Sequence, residues 1–357
     1  MSKNLEILNS AKSLQTLSGI DTLYYFIKVS YLNYTSFYND FVLKDKLIDV
    51  DFEKVSDSNN VQFIWYRKYV KINDVNIPLF RIGFKNLNTR DGLFSLYIQL
   101  ESATMHYFGV DKVVKMVEEH INCYGLIVEK EQVSRSDLNI FVNGYDFGKI
   151  SHLDFKTSVK SARKIYGSVE HNEFIVAGDL QTLYLGKSKS SGVQLKIYNK
   201  FAELSSKNDY FKSSVLSALF YSTYGNSFGN DFWNIEFSLR RESLKSYSID
   251  TVSDLLINAN SLFIKLMERY VYLESSKNDL KNVYDIKPHF IWSTLKNSYR
   301  LNSEPVFDIT KIKTKQYKHD IKWLYNRFNE HLEENPSHTI DDVFLELREL
   351  YSKQSII

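Results

Sequence analysis

The twenty residues Gln181–Lys200, QTLYLGKSKSSGVQLKIYNK, decide how the rest of this sequence is interpreted. Two runs that alternate apolar and polar residues flank a segment rich in Gly, Lys and Ser, a pattern that predicts a β-hairpin. Successive side chains of a strand point to opposite faces, so the apolar residues of the second run share one face. Tyr198 lies on the opposite, polar face, between Lys196 and Lys200. The hairpin therefore presents a tyrosine flanked by two cations.

Alternation of the same kind on both sides of the hairpin predicts an α+β fold built on an antiparallel sheet. The other predicted strands are Gly19–Val29, Val61–Tyr69, Val75–Phe84, Gly92–Glu101, Val133–Val142 and Phe232–Arg241. Helical spacing of apolar residues predicts helices at 33–47, Val110–Cys123, 250–275 and 338–353, and a basic helix at Phe155–Ile165.

The character of the sequence changes after about residue 242, where strand patterns give way to helical ones. We therefore predict an arm at 1–18, either a short polar helix or mobile, a sheet domain at 19–245 and a helical C-terminal domain at 246–357. In the last of these, the basic and aromatic stretch Lys311–Phe328 suits phosphate and base contacts. A helix that packs its aromatic residues inward and solvates its lysines explains the same stretch equally well.

The composition is that of a soluble globular protein, with 43% hydrophobic and 25% charged residues. The net charge of +2 predicts that any binding of nucleic acid depends on local patches. A single cysteine, Cys123, excludes an intramolecular disulfide framework and a thiolate metal cage. The sequence has no apolar run near the ~18 residues of a membrane span and no signal-peptide pattern, so we expect a cytoplasmic protein without membrane contact.

Three predicted strands carry an acid on their polar face, namely Glu101, Asp137 and Glu236, and the hairpin carries Tyr198. In one antiparallel sheet these side chains could converge on one side, although alternation fixes the face and not the strand order. Carboxylates suit Mg²⁺ or Mn²⁺, which could polarise a phosphodiester for attack by a tyrosyl oxygen. An acid on an exposed strand face is usually only solvated, so spacing alone favours an α+β domain whose sheet has a polar face.

Five blocks of the sequence occur in an order that resembles a known family: GIDTL at 19–23, YIQLE at 97–101, SRSDLNI at 134–140, TLYLGKSKSSGVQLKIYNKFAE at 182–203 and WNIEFSLRRE at 233–242. Together they are similar to the Rep_trans-type replication initiation factors. That family contains rolling-circle plasmid replication initiators and the related DNA relaxases of integrative conjugative elements. The blocks span residues 19–242, and the last third of the chain resembles no family that we can name.

The resemblance implies that the tyrosine of the Tyr-Asn-Lys element, here Tyr198, nicks DNA through a covalent 5′-phosphotyrosyl intermediate. We expect Lys196 and Lys200 to favour the ionised form of Tyr198 and to assist at the phosphate.

The resemblance also implies a divalent metal, Mg²⁺ or Mn²⁺, with Glu101, Asp137 and Glu236 as metal ligands or acid/base residues. Asp21 could join them or have a structural role. Some relatives carry a second acid where this chain has Phe141, which leaves the ligand set open. His106, five residues after Glu101, is the one histidine that we consider near the site, and a surface or core role is the favoured interpretation.

The partner that the resemblance implies is DNA at a replication or transfer origin, single-stranded at the nick. A host helicase and a second copy of the chain are further candidate partners. The plasmid, phage or conjugative-element origin stays open. The main alternative is an origin-binding protein or regulator of the same fold that does not cut DNA.

Overall fold

A computed structural model describes residues 14–47, 52–55, 62–72, 75–87, 94–158, 161–171, 174–186, 192–207, 209–274 and 286–301. All of them fall within one compact unit, Met1–Lys311. The predicted helix at 338–353 and the basic stretch Lys311–Phe328 lie outside the described residues, as does most of the predicted arm at 1–18.

The architecture is α+β, with a ten-stranded antiparallel sheet at its centre, which confirms the predicted fold class. The strands in chain order are β1 (Gln15–Val29), β2 (Phe52–Val55), β3 (Phe63–Ile72), β4 (Val75–Lys85), β5 (Leu96–Leu100), β6 (Val128–Asn143), β7 (Phe155–Lys156), β8 (Ala162–His171), β9 (Phe174–Leu185), β10 (Gln194–Asn199), β11 (Phe232–Arg240) and β12 (Val271–Tyr272). In space the sheet runs β2-β3-β4-β5-β1-β6-β11-β10-β9-β8, and β7 and β12 pair separately.

The helices in chain order are α1 (Tyr31–Phe37), α2 (Ser102–Phe108), α3 (Val110–Cys123), α4 (Lys200–Lys207), α5 (Tyr210–Tyr224), α6 (Arg241–Ser246), α7 (Val252–Arg269) and α8 (Phe290–Ser298). A π-helical turn, Tyr38–Val42, continues α1. The predicted helix at Val110–Cys123 is confirmed as α3. Within the described part of the chain, no helix is long and apolar enough to cross a membrane.

Two sequence predictions of local structure are wrong. The predicted basic helix at Phe155–Ile165 is instead strand β7 and the start of β8, which pairs with β9 at the edge of the sheet. An edge strand tolerates lysines and arginines, so charge did not distinguish the two structures. The predicted arm ends before residue 18, because β1 begins at Gln15 and pairs with β6 from Asn143 onward.

One face of the sheet and the helices α7 and α8 share a single hydrophobic core. The ring of Phe263 on α7 lies edge-on to Phe237 of β11, with centroids 5.3 Å apart. After α8, the hydroxyl of Tyr299 donates to the carbonyl of Gly19 in β1 at 3.1 Å. Among described residues, therefore, no gap in packing marks the predicted domain boundary near 245.

The other face of the sheet carries the polar side chains of β10, β11 and β6. Helices α4 and α5 cover part of this face through a small apolar cluster that includes Phe141, Leu216 and Phe220. Beyond that cluster the polar side chains line an open pocket. This second face positions the candidate site.

Candidate active site

A polar pocket of about 440 Å³ opens over strands β10, β11 and β6. The titratable residues that line it are Asp21, Arg135, Asp137, Tyr184, Lys196, Tyr198, Glu203, Lys207 and Glu236. The predicted hairpin is confirmed as β9 and β10, with Tyr198 opposite Thr182 on β9 and Asn234 on β11. The alternation of these strands thus brings four of the predicted site residues to one pocket, namely Asp137, Lys196, Tyr198 and Glu236. Asp21, a fifth, also lines the pocket.

The hydroxyl of Tyr198 has three polar neighbours. It donates to Oε2 of Glu236 at 3.2 Å and accepts from Nδ2 of Asn234 at 2.7 Å. The Nζ of Lys200 is a second donor to the same oxygen, at 3.4 Å. A carboxylate that can take the proton and two donors that can stabilise the resulting negative charge therefore surround one oxygen.

The electrostatics of Tyr198 differ from the sequence-based expectation. Burial, together with the negative charge of Glu236, raises the pKa of Tyr198 well above its usual value. The positive charges of Lys196 and Lys200, which we expected to favour the ionised form, do not outweigh these two effects in the protein without DNA. Because the phenolate is disfavoured, removal of the Tyr198 proton near neutral pH would need a base in contact with the hydroxyl.

Glu236 is suited to act as that base. Burial and the neighbouring Asp137 carboxylate raise the pKa of Glu236 to about 7, against the opposing charge of Lys196. The Nζ of Lys196 lies 2.5 Å from Oε1 of Glu236 and 3.8 Å from Oδ2 of Asp137. Burial lowers the pKa of Lys196, but the two carboxylates outweigh it and raise the pKa, so this lysine stays charged.

Asp137 is held by groups on three strands. Arg135, on the same strand, donates to it from both Nε, at 3.1 Å, and Nη2, at 2.5 Å. Ser238 on β11 donates to Oδ1 at 2.5 Å, and the Lys196 ammonium on β10 lies close to Oδ2. The carboxylate is almost fully buried, at 1% exposure, so these partners fix its orientation. These contacts hold the Asp137 carboxylate beside Glu236 and Lys196.

Lys200 lies behind Tyr198 and not at the open side of the pocket. It is 1% exposed, and its Nζ also donates to Oε2 of Glu203 at 2.6 Å. Lys207 binds the other oxygen of Glu203 at 2.6 Å. Lys200 is thus placed to stabilise charge on the Tyr198 oxygen, whereas Lys196 and Lys207 line the pocket itself.

Asp21 reaches the pocket because of a β-bulge. The pairing of β1 with β6 shifts between Ile20 and Thr22, so Asp21 is the extra residue on its strand. Its carboxylate accepts from Lys212 of α5 and from Ser102 of α2, both at 2.7 Å. Although burial opposes ionisation, Lys212 and Lys200 hold the pKa of Asp21 well below its usual range.

His106 lies against Asp21, with its Nε2 3.5 Å from Oδ1 of Asp21. Burial lowers the pKa of His106, so the ring is mainly neutral near pH 7. It also packs on the ring of Phe141, with centroids 5.2 Å apart. His106 thus belongs to the packing behind the pocket and does not line it.

The structure does not bring Glu101 to the pocket. Glu101 follows β5, which is four strands from β10 in the sheet, about 19 Å at the usual spacing of strands. Its carboxylate lies 3.8 Å from Arg67 and 3.6 Å from Arg81 instead. The predicted trio of acids is therefore split between two places on the same face.

The arrangement does not fit the predicted metal site. No group of three or more His, Cys, Asp or Glu side chains could hold a metal ion within the described residues. The ammonium of Lys196 lies between Asp137 and Glu236, where a cation shared by these two carboxylates would bind. Phe141, at the position of a second acid in some relatives, is fully buried in the apolar cluster.

Sequence reasoning missed several residues of the site. Alternation with Glu236 already placed Asn234 on the polar face, but nothing marked it as a partner of Tyr198. Arg135 lies in the block SRSDLNI at 134–140, but no role was predicted for it. Lys212 and Ser102 carried no signal, because helix packing alone brings them to Asp21.

No family model matches this chain, and no curated protein matches it. Among solved structures, the chain is similar to a rolling circle replication initiator protein from Geobacillus stearothermophilus. The two share 12% sequence identity, the match covers 82% of this chain and 100% of that chain, and the TM-score is 0.46. At so low an identity, the chemistry of this chain has to follow from its own side chains.

Proposed function

We propose that this protein nicks one strand of DNA at a replication or transfer origin and rejoins it, through a covalent bond to Tyr198. One observation carries the proposal: the Tyr198 hydroxyl contacts a base, Glu236, and two donors, Asn234 and Lys200, beside an open polar pocket. A nucleophile within hydrogen-bond reach of a base that is itself held in place is the arrangement of covalent catalysis. The resemblance of the blocks at 19–242 to replication initiators supports DNA as the substrate.

In the proposed step, Glu236 takes the proton of Tyr198 as the tyrosyl oxygen attacks the scissile phosphorus. A bond forms between that oxygen and phosphorus, and the bond from phosphorus to the 3′ oxygen breaks. The 3′ oxygen takes up a proton from solvent, which leaves a free 3′-OH and a 5′-phosphotyrosyl link. Attack by a 3′-OH on the phosphotyrosine reverses these changes and closes the strand.

Cations of the pocket neutralise the phosphate during the transfer. Lys196 and Lys207 line the open side, and Arg135 lies beside Asp137. Fixed charges of this kind lower the barrier because they need no reorganisation as negative charge develops. Asn234 and Lys200 donate hydrogen bonds to the tyrosyl oxygen, which becomes a bridging oxygen of the phosphodiester.

The requirement for Mg²⁺ or Mn²⁺ stays a prediction, and the side-chain chemistry above includes no metal-dependent step. A host helicase and pairing of two copies at one origin also stay predictions.

The test of the proposal is the covalent adduct. Purified protein is incubated with a 3′-labelled single-stranded origin oligonucleotide, because the fragment that stays bound through its 5′-phosphate carries that label. The adduct is separated under denaturing conditions and its modified residue mapped. Tyr198→Phe should abolish the adduct and leave binding of the oligonucleotide unchanged, since only the hydroxyl is lost. Tyr184→Phe, which alters a second tyrosine of the same pocket, is the matched control and should form adduct normally. An adduct that persists in Tyr198→Phe would refute the assignment.

One observation favours a second candidate function, origin binding without strand transfer. Burial and Glu236 disfavour the phenolate form of Tyr198, which is the expected state of a tyrosine that only makes structural hydrogen bonds. This candidate predicts specific retention of origin DNA with no adduct at any pH between about 6 and 10, with or without Mn²⁺.

A further inference from the structure

The sheet face that carries Tyr198 continues past β6 into a cluster of aromatic side chains, here called the aromatic platform. Its members are Tyr24, Phe26, Phe63, Trp65, Phe94 and Tyr97. Cross-strand pairing places them on one face: Phe26 lies opposite Tyr97, and both Tyr97 and Trp65 lie opposite Gly83. The platform thus spans β1, β5, β4 and β3, on the same side of the sheet as the pocket.

The rings of the platform are ordered relative to one another. Phe26 is stacked between Tyr97, with centroids 4.2 Å apart and planes at 19°, and Phe94, at 5.4 Å and 25°. A β-carbon added at Gly83 would lie 3.1 Å from Phe63 and 3.2 Å from the Trp65 ring. The missing side chain at Gly83 therefore lets these rings lie across β4, and the platform is a built feature of the fold.

The aromatic platform is partly exposed to solvent. Trp65 is buried, whereas the other five rings are partly exposed. On the opposite face of the same strands, Ile98, Phe84 and Tyr25 are fully buried in the core. A contiguous, partly exposed aromatic surface is uncommon on a folded protein unless it binds something.

A row of arginines runs along the edge of the platform that faces the pocket. Pairing places Arg81 opposite Gln99 and Arg67 opposite Arg81, in the row that contains Tyr24. Arg67 and Arg81 share one carboxylate, Glu101, at 3.8 and 3.6 Å. The Nε atoms of both arginines are buried with no hydrogen-bond acceptor among the described residues. The Arg67 and Arg81 side chains are nevertheless 22% and 39% exposed, so part of each side chain is open to an anionic ligand at the surface.

Arg135 joins the platform to the pocket. Its guanidinium lies over the ring of Tyr24 at 5.5 Å, and the same group donates to Asp137 in the pocket. Tyr24 and Arg135 are cross-strand neighbours on β1 and β6. A ligand that occupies the pocket could therefore extend across Arg135 onto the aromatic rings without a gap.

We infer that the aromatic platform binds single-stranded DNA, stacking its bases on the rings while Arg67 and Arg81 contact its phosphates. This inference rests on the proposed function, because it supplies the path by which the strand cut at Tyr198 leaves the pocket. Partly exposed rings beside a row of cations are how proteins hold single strands without reading their sequence. A duplex keeps its base faces stacked inside, so it offers the rings nothing to stack on.

The experiment measures binding of the full chain by fluorescence anisotropy to two labelled probes of about 20 nucleotides, oligothymidylate and an abasic strand with the same backbone. Both probes lack an origin sequence, so cleavage at Tyr198 does not enter. The double variant Phe26→Leu/Tyr97→Leu keeps an apolar side chain at both positions and removes two rings. We expect it to weaken binding of oligothymidylate about tenfold or more, and to leave binding of the abasic strand unchanged.

Two further variants keep the test decisive if the double variant fails to fold. Arg67→Gln/Arg81→Gln should weaken binding of both probes and reduce the slope of log affinity against log salt by about 1.4, because each arginine neutralises one phosphate of a single strand. Tyr210→Leu is the matched control, because Tyr210 is 74% exposed and lies outside the platform, on α5. It should bind both probes as the wild type does.

Equal affinity of the wild type and the ring variant for oligothymidylate, or an arginine variant with an unchanged salt slope, overturns the inference. So does tighter binding of a duplex of the same length than of the single strand. These binding outcomes can be distinguished from a failure of the proposed function, because the proposed function is tested by formation of the covalent adduct at Tyr198. A wild type that forms the adduct while its ring variant binds normally refutes the platform alone.

Discussion

Replacing Lys196 by methionine tests the proposed base most directly. Methionine keeps much of the length and apolar volume of lysine and removes its charge. The Nζ of Lys196 lies 2.5 Å from Glu236 and 3.8 Å from Asp137, so its loss leaves two buried carboxylates without their shared cation. Protonation of Glu236 then becomes more favourable, and the pKa of Glu236 should rise above its wild-type value of about 7.

The size of the shift follows from the geometry. The negative charge of Glu236 is shared by two carboxylate oxygens, so we take its separation from the ammonium as about 4 Å, at which two unit charges attract by about 4 kcal/mol for an effective dielectric constant near ~20. The Lys196 side chain is 19% exposed, so water screens part of this energy, and we take roughly 3 kcal/mol. At about 1.4 kcal/mol per pKa unit, the pKa of Glu236 should rise by about two units, to about 9.

The assay is the single-turnover rate of adduct formation on the origin oligonucleotide between about pH 5.5 and 10. Glu236 accepts a proton only when ionised, so the rate rises with pH through its pKa. The midpoint of that rise should move from about 7 in the wild type to about 9 in Lys196→Met. At about pH 7 the loss of ionised Glu236 alone lowers the rate about fiftyfold, and high pH should recover that part.

If Lys196→Met only weakened binding of the phosphate, the rate would fall by the same factor at every pH. The decisive quantity is therefore the pH at the midpoint of the rise and not the rate itself. Lys207→Met removes a second pocket lysine that binds Glu203 and is 65% exposed, and its midpoint should stay near that of the wild type. Glu236→Gln should lose the dependence altogether and react about 10²–10⁴-fold more slowly. An unchanged midpoint in Lys196→Met would refute Glu236 as the base.

Two further predictions concern the buried pairs of the site. Lys212→Met should lower the free energy of unfolding in urea by about 3 kcal/mol, because Asp21 loses its closest cation, whereas the exposed Lys207→Met should change it by less than about 1 kcal/mol. Equal effects of the two variants would contradict the buried pairing. Lys196→Met should also bind Mn²⁺ more tightly than the wild type in a titration followed by electron paramagnetic resonance, since the ion can replace the missing ammonium between Asp137 and Glu236. Tighter binding by the wild type would instead support the metal site that the sequence predicted.

Period-2 alternation predicted the faces of the strands correctly. It placed Tyr198, Glu236 and Asp137 on the polar sides of β10, β11 and β6, and pairing of these strands brings the three together. Alternation alone does not place Asp21 on this face, because a β-bulge interrupts the period and turns an extra residue towards the pocket. It also could not separate an edge strand from a basic helix at Phe155–Ile165.

The sequence by itself determined which side chains share a face, since the alternation of a strand is a local property of its backbone. Only the tertiary structure decided which strands are neighbours. Glu101 satisfied the local pattern as well as Glu236 did, but the strand order places it beside Arg67 and Arg81. Burial likewise gave Tyr198 a raised pKa and Glu236 a pKa of about 7, because the desolvation of a group depends on residues far away along the chain.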